Sequence, residues 1–179
     1  MQKKLLLFLV FHLLISCFNN KIEEIKDFNF NNLKTIQSSQ VNSKYIEGIN
    51  SKNLESYLLK NNFQIEPVPE GSSDILSKKF YFSESEASYG ILITGDPRIE
   101  KIEFFSKSKK NSLQKAKIFF KNVSKIPIPQ VDTSRTRKWT ENNMNSINTD
   151  LSKATILSNV YYKIEQTNSE EFKLTIKKY

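Results

Sequence analysis

Histidine, cysteine and glycine are scarce in this 179-residue chain, which holds one His, one Cys and four Gly. The His and the Cys both fall in the first seventeen residues, as His12 and Cys17, so the chain beyond Cys17 has neither imidazole nor thiol. Ser-His-Asp and Cys-His catalysis need an imidazole to move the proton, and neither can be assembled there. Zinc or copper sites built on nitrogen or sulfur ligands are excluded on the same ground, and no metal or cofactor is expected. An internal disulfide is impossible, which leaves packing as the source of stability. Gly48, Gly71, Gly90 and Gly95 match neither G-x-G-x-x-G nor G-x-x-x-x-G-K, so no phosphate-cradling loop is evident. The apolar run at the start, Leu5 to Ile15 broken by His12, falls short of the roughly 20 residues that span a bilayer.

That run is preceded by Lys3 and Lys4 and closed by Leu14-Ile15-Ser16-Cys17. A positive start, a short apolar stretch and a small residue before a cut form the layout of a secretory signal. The closing tetrapeptide resembles the lipobox of bacterial lipoproteins. Leu14 stands at the branched-aliphatic position, Ser16 is the small residue beside the scissile bond, and Cys17 carries the thiol that takes a diacylglycerol. His12 departs from the usual apolar stretch and is tolerated there when neutral. The resemblance implies that residues 1–16 are removed, that Cys17 is lipidated and that the protein is anchored to a membrane without spanning it. Each buried acyl methylene contributes about 0.8 kcal/mol, so one chain holds marginally and two hold stably. Phe18 follows the cysteine where Asp would mark inner-membrane retention, which implies the outer membrane, facing periplasm or surface, if the organism has two membranes. The competing reading makes Cys17 a small hydrophobe in a buried N-terminal helix.

Lys and Arg number 27 against 19 acidic residues, a formal net charge of +8, and removal of Lys3 and Lys4 lowers the balance by two. A basic surface favours anionic partners. In an envelope these are phospholipid headgroups, lipopolysaccharide, wall polymers or an acidic protein, and nucleic acid is not expected. Alternatively, the lysines serve solubility alone.

After the signal at 1–16, residues 17–50 are asparagine-rich, with scattered Ile22, Ile25, Phe28, Leu33 and Ile36, and read as a lipidated N-terminus and tether. An interfacial helix is the alternative for this stretch. Residues 51–179 read as one domain. Leu54, Tyr57 and Leu58 share a face in a helix over Ser51–Asn62, with Ser51 placed to cap it. Lys79 to Phe82 reads as a strand, and Ser88–Thr94 pairs with Ile99–Phe105 across the turn Gly95-Asp96-Pro97-Arg98. A second helix, Asn111–Val123, carries Leu113, Ala116, Phe119, Phe120 and Val123 as its apolar stripe, while Lys110, Lys117 and Lys121 line another face. Gln130 to Asp150 is polar and irregular. One strand then aligns Ile156, Val160, Tyr162 and Ile164, and the next aligns Phe172, Leu174 and Ile176, joined near Gln166 to Ser169. The expected fold is α+β, an antiparallel sheet of about five strands with two helices packed on one face. Tandem α-β-β units at 51–105 and 111–178 are suggested by element order alone.

Arg135-Thr136-Arg137-Lys138-Trp139 is the densest basic and aromatic cluster. Guanidinium groups fork onto phosphate or carboxylate, and an indole sits well at a headgroup boundary or on a sugar. Arg135, Arg137, Lys138 and Trp139 are therefore the candidate contact with an anionic partner, and the lysine face of the second helix is a candidate extension. The plainer alternative has Trp139 plugging the core and the charges solvated. Ser106 and Lys109 have Ser-x-x-Lys spacing but no companion motif. Glu84 with Glu86, or Asp96 with Glu100, would be the carboxylates of a glycan hydrolase. The sequence thus points to an envelope lipoprotein with a non-catalytic binding domain. The alternatives are a periplasmic immunity or inhibitor lipoprotein and a carboxylate-dependent cell-wall hydrolase.

Overall fold

A computed structural model describes residues 28–30, 33–34, 44–66, 77–129, 131–147 and 151–179. The expected signal segment and Cys17 lie outside these residues, as do Ile22, Ile25 and Ile36. The chain runs α1 (Ser51–Lys60), β1 (Gln64–Ile65), β2 (Ser77–Ser83), β3 (Ala87–Thr94), β4 (Lys101–Ser108), α2 (Ser112–Val123), α3 (Thr133–Ser146), β5 (Ser152–Leu157), β6 (Val160–Asn168) and β7 (Glu171–Lys178). The strands form one antiparallel sheet in the order β1-β2-β3-β4-β7-β6-β5. The α+β class is as expected, with seven strands instead of about five and three helices instead of two.

The alternation in the sequence sets the register. Ile91 lies opposite Phe104 and Ile93 opposite Ile102 in the expected β3–β4 hairpin, and Phe104 and Ile102 continue onto Leu174 and Ile176 of β7. All six side chains are buried on one face, with Phe119 and Phe120 of α2 also buried in that core. The opposite face of the sheet carries an ion-pair ladder: Lys101 and Lys173 hold Glu103 at 2.9 and 3.5 Å, and Lys163 and Lys173 hold Glu165.

Three elements depart from expectation. The irregular stretch after Gln130 contains the fourteen-residue helix α3. Asp132 caps it by accepting from the Ser134 N–H at 2.8 Å. Its buried stripe is Thr136, Thr140 and Met144, a four-residue spacing masked by two threonines. Their hydroxyls donate to the carbonyls of Asp132 and Thr136, so they are buried without an unmet hydrogen bond. The strand expected across Ile156 to Ile164 is two strands, β5 and β6. Ser158 and Asn159 turn between them with φ of 48° and 64°, the backbone of a tight hairpin made here without glycine. Ile156 therefore faces outward at 44% exposure, while Val160, Tyr162 and Ile164 are buried. Helix α1 is capped by Asn50, whose side chain accepts from the Asn53 N–H, and the expected cap Ser51 instead donates its hydroxyl to Asp96.

The packed core also extends well before the expected boundary at residue 51. Phe28, Phe30, Leu33, Ile46 and Ile49 are all buried in it. Phe28 is a hub, with ring centroids 5.1 to 6.1 Å from Phe63, Phe82, Tyr89 and Phe119. Phe30 bridges Tyr57 of α1 to Phe104 of β4, which seats α1 on the same side of the sheet as α2.

Candidate functional site

Helix α3 separates the members of the basic-aromatic cluster. Arg135, Arg137 and Lys138 are exposed. Trp139 is half-buried against the core, its ring 6.3 Å from that of Tyr162 on β6. The indole thus serves as a spacer between helix and sheet, and the cations are presented to solvent without it. Burial pushes the Tyr162 hydroxyl up to about 12, against the opposing pull of a hydrogen bond with Thr136. That bond ties α3 to β6 beside Trp139.

The lysine face of α2 meets this surface at one end only. Lys121 and Arg137 converge on the Glu141 carboxylate at 3.0 and 3.1 Å. The hydrogen bonds from Lys121 and then Arg137 hold that carboxyl below its ordinary range. A shallow depression of about 510 Å³ lies along α3 beside the segment that follows α2, lined by Lys125, Thr133, Ser134, Arg137, Lys138 and Glu141. Lys110, at the far end of α2, pairs with Glu86 at 2.8 Å and belongs to a different part of the surface. Lys125, Thr133 and Ser134 were not marked as candidates by the sequence. They reach this place because the segment through Ile126, Pro127, Ile128 and Pro129 folds α3 back beside α2, and their signal was their closeness to the basic run.

Of the pairings read from spacing, Ser106 and Lys109 are not brought together, while Glu84 and Glu86 line one cleft with Lys107, Lys109 and Lys110. Ser106 is buried within β4, and Lys109 lies just beyond the strand. Three residues along extended chain separate them by about 10 Å, whereas a Ser-x-x-Lys pair needs the turn of a helix to bring lysine to serine. The Lys110 hydrogen bond holds the Glu86 carboxyl below its ordinary range, opposite to the raised value of a general acid. Glu100 is paired with Lys44. Asp96 accepts the Ser51 hydroxyl and has Lys78 at 3.9 Å. Among the described residues, no three Asp, Glu, His or Cys side chains cluster as metal ligands, and no helix is long and apolar enough to cross a membrane. The chain matches no protein-family model, no curated protein and no solved structure.

Proposed function

We propose that this chain is a bacterial envelope lipoprotein, lipidated at Cys17, whose domain binds an anionic envelope component without catalysing a reaction. The observation that carries the binding half is the convergence of Lys121 and Arg137 from two helices on one glutamate, beside exposed Arg135 and Lys138. Glu141 and Asp132, the latter acting on Arg135, are two carboxylates against Lys121, Arg135, Arg137 and Lys138, so this surface keeps an excess positive charge. Arginine forks match phosphate and carboxylate oxygens. The absence of imidazole and thiol beyond Cys17 supports a non-catalytic role.

Vesicle binding tests the surface. The Cys17→Ser chain isolates the protein contribution from the lipid tail. Against it, Arg135, Arg137 and Lys138 are changed together to Gln, and binding to phosphatidylglycerol vesicles is measured at low salt. Each basic residue near an anionic surface is worth about 1 kcal/mol, so the triple change should weaken binding roughly a hundred-fold. Equal binding by the two proteins would overturn the assignment of this surface. For the anchor, incorporation of labelled fatty acid should be lost in Cys17→Ser, and equal labelling would overturn it.

A further inference from the structure

The sheet ends in two unequal edges. β1 supplies one with two residues, and β5 supplies the other with six, Ser152–Leu157. An edge strand presents unpaired N–H and C=O groups, and proteins ordinarily blunt it with proline, a bulge, charges or short length. β5 is poorly defended in these terms. It contains neither Pro nor Gly, and its register with β6 is unbroken. Its one charged residue, Lys153, lies on the helix side of the sheet, opposite buried Ile164. Among the described residues, no strand pairs with the outer side of β5. Two exposed apolar side chains lie along it, Leu151 at 73% and Ile156 at 44%.

The β5–β6 ladder decides which backbone groups face outward. The Gln166 N–H donates to the Leu151 carbonyl at 2.9 Å. Hydrogen-bonded and non-hydrogen-bonded positions alternate in an antiparallel pair, so Leu151, Lys153, Thr155 and Leu157 direct their main-chain groups at β6. Ser152, Ala154 and Ile156 turn theirs to the free edge. The same three place their side chains on the outer face, opposite Glu165, Lys163 and Tyr161. A two-fold pairing of this edge with itself then has few registers. Centred on Lys153, it sets two ammonium groups opposite each other, which is destabilising. Centred on Thr155, it sets Ser152 against the turn at Ser158, where the backbone has left the strand. Centred on Ala154, it matches Ser152 with Ile156 and Ala154 with its own copy, so every outward N–H and C=O is paired. That register also sets Leu151 opposite Leu157 and Lys153 opposite Thr155, and it puts a small side chain at the axis.

We propose that β5 pairs antiparallel with β5 of a second copy of this chain, about a two-fold axis at Ala154, so that two sheets join into one. Any extended peptide can bond to a free edge. A second copy is singled out because this strand satisfies itself completely in one register, with no like charges opposed. Leu151 gains an apolar neighbour in Leu157 of the second copy. A single strand pair falls below the roughly 1,200 Å² of a standard interface, so the association is reversible. The pairing lies apart from the basic surface on α3 and depends on neither that surface nor the lipid anchor.

Sedimentation equilibrium of the Cys17→Ser chain should show a reversible monomer–dimer equilibrium. Ala154→Pro removes the N–H at the axis and spares the ladder to β6, because that N–H faces away from it. Both hydrogen bonds of the central pair are lost, and dimerisation should weaken about thirty-fold. Should Ala154→Pro lose its unfolding transition, Ala154→Lys replaces it at this exposed position. Like charges meeting at the axis should then weaken dimerisation about three-fold. Cross-linking reads the register. In the same background, Ala154→Cys brings two thiols together on Cα atoms about 5.5 Å apart, within disulfide reach, and should oxidise to a covalent dimer. Ser152→Cys leaves its two thiols four residues out of step, about 13 Å along the strand, and should stay uncrosslinked. A monomer at every concentration, a dimerisation constant unmoved in the Ala154 variants, or cross-linking at 154 no greater than at 152 would each overturn the pairing.

Discussion

Phe28 shows how much one side chain can carry in a core without disulfides. Its ring meets Phe63, Phe82, Tyr89 and Phe119, so residues after α1, on β2, on β3 and on α2 depend on one aromatic. Replacing a fully buried Phe by Ala removes its transfer free energy and leaves a cavity, for about 3 to 5 kcal/mol. Phe28→Ala should therefore lower the urea midpoint by that equivalent, and Phe28→Leu by less; an unchanged midpoint would detach Phe28 from the core. In the sequence Phe28 is one of several scattered apolar residues, and the asparagines around it, poor helix formers, make the partial helical spacing there read as a tether. The candidate site was legible to a similar half-degree. Arg135, Arg137 and Lys138 are exposed as a basic cluster should be. The assignment of Trp139 to the same surface treated the stretch as loop. On a helix it lies about a hundred degrees beyond Lys138, and that turn carries it to Tyr162.

Where a segment showed strict alternation, its element was legible. β3, β4 and β7 alternate buried and partly exposed residues along most of their length, and a period of two permits only one register against a buried face. Where burial used polar side chains, the period vanished, as with Thr136 and Thr140 in α3. The turn at Ser158 and Asn159 was hidden because it adopts positive φ without glycine. The outer face of the sheet has a consequence that can be measured. Burial alone would raise the Glu165 carboxyl, but hydrogen bonds from Lys163 and Lys173 outweigh it and hold the carboxyl below its ordinary range. An acid depressed in this way contributes stability that is present above its unfolded value of about 4.3 and is lost as pH falls through the folded one. The Glu165 hydrogen bond raises Lys173, so its contribution holds below the ordinary lysine value and is lost only as pH rises through the raised folded one. Glu165→Gln should therefore lower the urea midpoint at pH 7, and by less at pH 3, below the unfolded carboxyl value. A gap of equal size at both pH values would show that the ladder contributes nothing through ionisation.

For the molecule as a whole, the question is where the folding unit begins. A reading from composition starts the domain at residue 51, since the polar segment before it lacks a periodic apolar pattern. The structure joins that segment to the core by side chains and by backbone. The Ile46 N–H donates to the Ile99 carbonyl at 2.7 Å, Asn50 bridges to Arg98, and the Ser51 N–H donates to the Pro97 carbonyl. Phe28, Phe30, Leu33, Ile46 and Ile49 are each at most 5% exposed. At about 1.5 to 3 kcal/mol for each buried apolar side chain, their removal forfeits about 7 to 15 kcal/mol. That is comparable with the about 5 to 15 kcal/mol by which a domain is stable at all. A chain beginning at residue 51 should therefore lose its cooperative unfolding transition and its near-ultraviolet circular dichroism. A chain beginning at residue 28 should keep both. The contrast matters for function as well as folding, because the segment that would lead from a lipidated cysteine enters the core at Phe28. Retention of a sharp transition by the shorter chain would show that these five side chains rest on a domain already complete without them, and would restore residues 17–50 to the role of a tether.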